Sequence, residues 1–232
     1  MSLTTKVLSF DLDDTLWPCF PTILNAEKQL YQWLQVNVPE ITERYDIEQL
    51  RDQRRLFMDE RPEFSYDLTA LRLASFARLA EELTLDELWI KPAFEVFYQA
   101  RQQVTLFDDV KPILDELSQR FRLASLTNGN ADTVETGIDH WFDFSLSSAS
   151  VGKKKSEPDI YRHVLNLANI SADEMVHVGD HPQQDVLGAQ SAGVFAVWLN
   201  REGQQWAVED YQPDAEIQSL HELPALLAQR DL

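Results

Sequence analysis

The sequence predicts an α/β fold, in which a parallel sheet is sandwiched by helices and an all-helical segment is inserted after the first strand. Short apolar runs alternate with amphipathic stretches, a pattern typical of βα units and therefore of a parallel sheet. Between Trp17 and Thr105 the strand signals disappear, and apolar residues recur at helical spacing. Asp11, Thr127 and Asp180 each stand where an apolar run gives way to polar residues.

The first strand and the inserted block account for the first half of the chain. The run from Lys6 to Phe10 predicts a short buried strand. Three helical patterns follow, the second with Ser65 or Asp67 as its N-cap and the third beginning or kinking at Pro92. The apolar residues that define these patterns are Ile23, Leu24, Leu30, Trp33 and Leu34, then Leu68, Leu71, Leu73, Phe76, Leu79 and Leu83, and then Ile90, Phe94, Phe97 and Tyr98.

Strand and helix patterns alternate again after the inserted block. Pro112 suits the first turn of an amphipathic helix. Ser171 to Glu174 has the spacing of a capping box, but the apolar residues that run directly into Gly179 favour a strand. The predicted strands are 122–126, 144–148, 175–178 and 194–199, and the predicted helices are 110–121, 157–168, 186–192 and 223–229.

These elements define two domains. We expect residues 1–16 and 106–232 to form a Rossmann-like α/β core and residues 17–105 to form a helical cap domain. Right-handed crossovers place the carboxyl ends of parallel strands on one side of the sheet, where ligands bind in open α/β sheets. Because the inserted block leaves the chain at that side, just after Asp11, it is positioned to cover a ligand site.

The composition of the chain limits which binding partners and which cellular compartment we expect. The chain has 232 residues and a formal net charge of −19, a field that disfavours binding to nucleic acid or anionic lipid. No stretch reaches the ~18 apolar residues of a membrane span, and nothing resembles a signal peptide. Cys19 is the only cysteine, which fits a reducing compartment. We therefore expect a cytoplasmic protein without nucleic acid or membrane partners, present as a monomer or a weak homodimer.

Two carboxylates follow the first strand. Asp11 and Asp13 are two residues apart, so a turn beginning here would direct both side chains at one pocket. One carboxylate can attack phosphorus and form an aspartyl-phosphate, while the second protonates the leaving oxygen and later deprotonates water. The alternative for an isolated Asp-x-Asp is a solvated turn with a helix cap, and the downstream motifs weigh against it.

A hydroxyl, an amide and an ammonium come from the middle of the chain. Thr127 and Asn128 follow a predicted strand, where a hydroxyl and backbone N–H groups in a tight turn can cradle phosphoryl oxygens. The alternative, an Asn-Gly hairpin turn, is weakened by the helix-like residues that follow. Lys155 would neutralise the nucleophile and the transferring group, whereas Lys153 and Lys154 are expected in a solvated loop.

Further carboxylates follow a later strand. Hard carboxylate oxygens suit Mg²⁺, which binds through few protein ligands plus phosphate. Asp180 is expected to bind the metal directly, and Asp185 either binds it through water or holds Lys155 in place. The alternative for Asp185 is an acid in the first turn of a helix. His181 is expected beside the ligands or at the surface rather than as a ligand.

In chain order these fragments resemble the four motifs of the haloacid dehalogenase-like hydrolase superfamily. Asp11-Leu12-Asp13-Asp14-Thr15 resembles the first motif, Leu126-Thr127-Asn128 the second, Lys155 the third, and Gly179-Asp180 with Asp185 the fourth. The inserted block resembles the helical cap of that family. Many relatives have Lys-Pro-Asp-Pro where this chain has Lys155-Ser156-Glu157-Pro158, which leaves Lys154 as an alternative to Lys155.

The resemblance implies a role for each of these residues. Asp11 is the nucleophile and Asp13 the general acid and base. Asp11, the backbone carbonyl of Asp13 and Asp180 bind Mg²⁺. The phosphoryl group is held by Thr127 and Asn128 of the second motif and by Lys155 of the third. Asp185 has a supporting role.

The presence of Asp13 favours phosphate-ester chemistry, because dehalogenases of this superfamily lack the second acid. The segments 10–16, 127–131 and 177–180 are similar to bacterial phosphatases that act on flavin mononucleotide and on 5-amino-6-(5-phosphoribitylamino)uracil. We therefore expect a Mg²⁺-dependent phosphatase of a small phosphorylated metabolite. The alternatives are a phosphomutase, a 2-haloacid dehalogenase and a non-catalytic protein that binds a phosphorylated metabolite.

Overall fold

The computed structural model describes residues 5–231, so the predicted core ranges 1–16 and 106–232 include residues 1–4 and 232, which lie outside the described residues. Within residues 5–231 the chain forms a six-stranded parallel sheet in the order β3-β2-β1-β4-β5-β6. The strands are β1 (Val7–Phe10), β2 (Arg122–Thr127), β3 (Phe144–Ser147), β4 (Met175–Gly179), β5 (Phe195–Leu199) and β6 (Ala215–Ile217). The predicted α/β fold with a parallel sheet is confirmed.

Strand β1 lies between β2 and β4, and every residue of β1 and β4 is buried. Such continuous burial is typical of parallel strands that helices cover on both faces. Phe10 is paired with Val178, and the N–H of Asp11 donates to the carbonyl of Val178 at 2.9 Å. The carboxyl ends of β1, β2 and β4 therefore bring Asp11, Thr127 and Gly179 to the same side of the sheet.

Helices make up most of the remaining structure. They are α1 (Cys19–Asn37), α2 (Pro39–Arg44), α3 (Ile47–Glu60), α4 (Leu68–Leu83), α5 (Ile90–Arg101), α6 (Val110–Leu117), α7 (Ser148–Val151), α8 (Pro158–Ala168), α9 (Gly188–Ser191) and α10 (Leu223–Arg230). Of the two predicted N-caps of α4, Ser65 and Asp67, the structure shows Asp67, whose side chain accepts a hydrogen bond from Ala70 N at 2.9 Å. In the part of the chain that is described, no helix combines the length and apolar character needed to cross a membrane.

The chain divides into two compact units. The α/β unit contains the residues up to Pro18, Thr105–Gly129 and the residues from Gly137 onward, and the helical unit contains Cys19–Val104 with Asn130–Thr136. In the helical unit α1 packs against α5, and α4 packs against α5 as well. Residues 130–136 join the helical unit, although the predicted boundary placed them in the core. The role of the helical unit as a cap stays a prediction.

Several elements differ from the sequence pattern for identifiable reasons. Helix α6 ends at Leu117, because a turn over residues 118–121 precedes β2. Helix α3 was not predicted, since only its residue Phe57 is buried and the apolar pattern is correspondingly weak. It begins instead at a capping box formed by Asp46 and Gln49. Strand β6 was also missed, because it has only three residues and Glu216 at its centre is exposed.

Candidate active site

A buried ammonium joins two carboxylates at the end of β1. Lys155 Nζ donates to Asp11 Oδ1 and also to Asp185 Oδ1, the latter at 2.7 Å. Burial raises the pKa of Asp11 well above its ordinary range, and Asp185 and Asp180 add to this rise, which Lys155 only partly opposes. Burial acts to lower the pKa of Lys155, but Asp11 and Asp185 outweigh it and the pKa is raised. Lys155 is therefore a cation beside the predicted nucleophile.

Three carboxylates of this site are close enough to share a metal ion. Oxygens of Asp11, Asp180 and Asp185 all lie within 4.8 Å of one another. Burial, followed by the charge of Asp185, raises the pKa of Asp180 to about 7. When ionised, the three carboxylates have Lys155 as their shared ammonium, which leaves two negative charges uncompensated. A divalent cation with a preference for hard oxygen ligands, such as Mg²⁺, fits this donor set in both charge and chemistry.

Asp185 lies in a π-helical turn, which also takes up the first residues of the regular helix predicted over 186–192. The turn comprises Pro182–Leu187, and α9 follows it. Such turns are frequent at functional sites. The N–H of His181 donates to Asp185 Oδ2 at 2.9 Å, so both oxygens of the Asp185 carboxyl have partners. The structure thus shows the contact with Lys155 that the sequence offered as one role for Asp185, and metal binding by this residue stays a prediction.

His177 extends this polar network into the sheet, and sequence reasoning missed it. Its Nε2 lies 3.0 Å from Asp185 Oδ1, and its Nδ1 lies 2.8 Å from Ser9 Oγ. Burial lowers the pKa of His177 more than Asp185 raises it, so the ring is neutral. Lys155 and His177 together lower the pKa of Asp185 despite its burial. A single polar residue inside the apolar run of β4 was the available signal.

Two glycines allow the close approach of these groups. At Gly179 an added Cβ would overlap the carboxyl group of Asp185, and at Gly188 it would overlap the backbone carbonyl of Lys155. The second overlap involves backbone atoms, so a rotamer change cannot relieve it. Glycine is therefore required at position 179 because a larger residue would collide with Asp185.

Thr127 and Asn128 lie at the end of β2. Thr127 is buried, and its Oγ1 accepts from Gly129 N at 2.9 Å, which leaves the hydroxyl hydrogen able to donate. Asn128 Oδ1 accepts from Lys155 N at 2.9 Å, and its Nδ2 donates to Gln184 Oε1 at 2.6 Å. The Asn128 amide therefore holds the Lys155 loop against the π-helical turn, and phosphate binding by Thr127 and Asn128 stays a prediction.

The second acid is held by an indole. Asp13 Oδ1 accepts a hydrogen bond from Trp17 Nε1 at 2.9 Å, and the Trp17 ring is fully buried. Asp14 between them has a φ of 59°, and its N–H bonds to the carbonyl of Trp17 at 2.8 Å. The tight turn that forms after Asp11 thus fixes the Asp13 carboxyl. Sequence reasoning did not identify this contact.

A distant arginine braces the same loop. Arg201 donates to the carbonyl of Thr15 at 2.9 Å and pairs with both oxygens of Asp109, at 2.9 and 3.0 Å. Thr15 Oγ1 in turn donates to Asp180 Oδ1 at 3.2 Å, which connects the first loop to the predicted metal ligand. Burial alone raises the pKa of Asp109, but the bonds from Arg201 and Ser219 lower it. No local pattern in the sequence links Arg201 to residues near the start of the chain.

Comparison with known proteins places this arrangement in a family. Residues 5–193 match the haloacid dehalogenase-like hydrolases. The chain is 30% identical over 230 residues to the 5-amino-6-(5-phospho-D-ribitylamino)uracil phosphatase YigB of Escherichia coli (strain K12), with 96% of each chain covered. A solved structure of a 2-haloacid dehalogenase from Pseudomonas syringae pv. Tomato DC3000 is 38% identical, with a TM-score of 0.90 over 97% of this chain and 99% of that one.

A third similar protein is a phosphatase of the same fold. The structure of a HAD phosphatase from Thermococcus onnurineus is 25% identical, with a TM-score of 0.72 over 98% of this chain and 100% of that one. The resemblance inferred from the four motifs is thus confirmed by sequence and by fold. The chain belongs to the haloacid dehalogenase-like hydrolases.

Proposed function

We propose that this hydrolase is a Mg²⁺-dependent phosphatase that cleaves a small phosphorylated metabolite through an aspartyl-phosphate on Asp11. The observation that carries the proposal is the cluster of Asp11, Asp180 and Asp185 around Lys155 at the carboxyl ends of the strands. When ionised, its three carboxylates carry two more charges than Lys155 neutralises, and a divalent cation would offset them. Curated relatives named as phosphatases support the same reaction class.

Asp11 is the proposed nucleophile because its carboxyl group is buried beside the Lys155 ammonium. Attack of a carboxylate oxygen on phosphorus expels the alcohol and leaves an acyl phosphate, which water then hydrolyses. Lys155 stays protonated throughout and neutralises charge on the transferring group. The Thr127 hydroxyl, whose hydrogen is not used by the bond that its Oγ1 accepts from Gly129 N, would donate to a phosphoryl oxygen.

Asp13 is the proposed acid and base. It would donate a proton to the leaving oxygen in the first step and accept one from the attacking water in the second. The bond that Trp17 Nε1 donates to Asp13 Oδ1 fixes the orientation of this carboxyl group. We assign Trp17 as a positioning residue for this acid.

Asp11, Asp180 and the backbone carbonyl of Asp13 would hold the metal ion, with Asp185 beside them. A bound Mg²⁺ would offset the negative charge of the phosphoryl group and of the carboxylates around it. For the substrate we propose a phosphorylated intermediate of riboflavin synthesis or flavin mononucleotide. The support is the Escherichia coli relative, which is named for such a compound and is covered over 96% of its length.

The test is turnover of an aryl phosphate with and without Mg²⁺. We expect phosphate release that a chelator abolishes, that Asp11→Asn abolishes, and that Asp13→Asn lowers strongly while Mg²⁺ binding persists. Asp210→Asn is a matched control, since Asp210 is exposed and lies outside the four motifs. Wild-type turnover in Asp11→Asn would refute the assignment of the nucleophile. Ligand binding without turnover across a broad phosphate panel would favour a non-catalytic binding protein.

A 2-haloacid dehalogenase is the second candidate, favoured by the description of the Pseudomonas syringae structure that is 38% identical. The oriented carboxyl of Asp13 weighs against it, because a halide leaves without a proton. Halide release from a 2-haloacid, measured in the same preparations, separates the two reactions. We expect no halide from this enzyme.

A further inference from the structure

A cavity in the helical unit has an arginine-rich wall that the proposed reaction does not explain. Its volume is about 240 Å³, and its lining includes Asn130 and four arginines, Arg51, Arg54, Arg55 and Arg72. The lining also contains apolar side chains, Phe97 among them. Four guanidinium groups around one cavity are unexpected in a chain with a formal net charge of −19.

Arg72 is the buried member of this group. It is 6% exposed, and its Nη2 donates to Glu27 Oε1 at 2.9 Å, while its Nη1 is buried without a hydrogen-bond partner. A buried donor without a partner is destabilising, and more so when it is charged. The guanidinium also lies 3.3 Å from the centre of the Phe97 ring, which covers one of its faces. Arg72 therefore lines the cavity and also carries a buried donor for which residues 5–231 provide no hydrogen-bond acceptor.

The arginines of the cavity exceed the carboxylates that pair with them. Glu27 is shared between Arg72 and Arg54, with the Arg54 contact at 2.6 Å. Arg55 pairs with Asp52 at 3.0 Å, and Arg51 forms no ion pair within residues 5–231. Two positive charges thus stay uncompensated. Burial, followed by the charge of Arg54, lowers the pKa of Arg72 to about 10, which agrees with a shortage of negative charge around it.

We propose that this cavity binds a small organic anion, whose carboxylate or phosphate group pairs with Arg72 Nη1 and with Arg51 and whose apolar part packs against the wall that contains Phe97. Planar guanidinium groups match both kinds of anion, often through two parallel hydrogen bonds. A volume of about 240 Å³ suits a compact metabolite rather than a polymer. Asn130 supplies a neutral amide donor at the same cavity.

The test is calorimetric titration of the full chain with benzoate and with phenylphosphonate, in buffer that contains a chelator. We expect one bound anion per chain. Arg51→Gln should weaken binding about tenfold or more, since it removes a charge-assisted hydrogen bond. Arg44→Gln makes the same charge change on an exposed arginine that does not line the cavity, and it should bind like the wild type. Whichever of the two probes binds more tightly shows whether the site prefers a carboxylate or a phosphate-like group.

A second variant separates this site from the proposed phosphatase site. Binding that persists in Asp11→Asn but is weakened in Arg51→Gln belongs to the cavity, whereas turnover of an aryl phosphate reports on Asp11. Arg72→Gln, checked for folding by circular dichroism, should lose binding as well. Absence of binding to the wild type, or equal weakening by Arg51→Gln and Arg44→Gln, would overturn the proposal.

Discussion

Replacing Lys155 by methionine should destabilise the protein strongly, because it removes the ammonium between Asp11 and Asp185. Lys155 is 1% exposed, so water cannot replace its charge. Removing one partner of a buried ion pair costs about 3–5 kcal/mol. Two carboxylates lose the same partner here, which places the expected loss in the upper half of that range. For a chain of this size, the whole range corresponds to a fall in Tm of about 6–20 °C.

Replacing Asp11, the carboxylate partner of Lys155, should not lower the stability of the folded protein. Asp11→Asn removes one of the three crowded carboxylates and leaves Lys155 paired with Asp185. Burial and the neighbouring acids raise the pKa of Asp11, which means that its charge is disfavoured in the folded protein. Without metal, Asp11→Asn is therefore expected to unfold at the wild-type temperature or above it.

Differential scanning calorimetry of the wild type and both variants in chelator measures these changes directly. Circular dichroism at low temperature confirms that each variant is folded before the scan. A Tm for Lys155→Met within about 2 °C of the wild type, less than the shift for 1 kcal/mol, would contradict the charge balance argued for this site. So would a loss of stability in Asp11→Asn as large as that in Lys155→Met.

Three further changes test other parts of the site and of the helical unit. Gly188→Ala should move the Lys155 backbone and lower kcat by about 100-fold in a steady-state assay, because small displacements of reacting groups are costly; unchanged kcat would refute this. Trp17→Phe keeps an aromatic side chain but loses the bond to Asp13, so kcat should fall about tenfold, and the loss should vanish in an Asp13→Asn background. The pKa of Glu27 is lowered by two arginines although burial alone would raise it. Its stabilising contribution is therefore present above the pKa of the unfolded chain and is lost as the pH falls through the lower folded value. Urea denaturation between about pH 6 and pH 3 should show a flatter acid dependence for Glu27→Gln, and an unchanged slope would contradict the argument.

The fold could be predicted from the sequence because the patterns that mark its strands are local. An apolar run that ends in a carboxylate or hydroxyl marks the carboxyl end of a buried strand, and parallel pairing then places Asp11, Thr127 and Asp180 together without further information. The weak elements were those whose residues are largely exposed. Helix α3 and strand β6 carry little apolar periodicity, so their formation depends on capping and on pairing with a neighbouring strand.

The supporting contacts could not be predicted because they join residues that are distant in sequence. Arg201 bonds to the carbonyl of Thr15, and His177 connects Ser9 to Asp185 through a buried ring. No sequence pattern reveals the Arg201 contact, and the polar residue in the apolar run of β4 draws attention to His177 without revealing its partners. Trp17 is closer to Asp13, but its hydrogen bond depends on the turn at Asp14, which only the backbone geometry shows.

Trapping the covalent intermediate tests the account most directly. The enzyme is mixed with Mg²⁺ and a radiolabelled phosphate ester that it turns over, quenched in acid within a single turnover, digested and mapped by mass spectrometry. The account predicts a phosphoryl label on the Asp11 carboxylate. Label on another residue, or steady hydrolysis with no trapped label at any quench time, would contradict it.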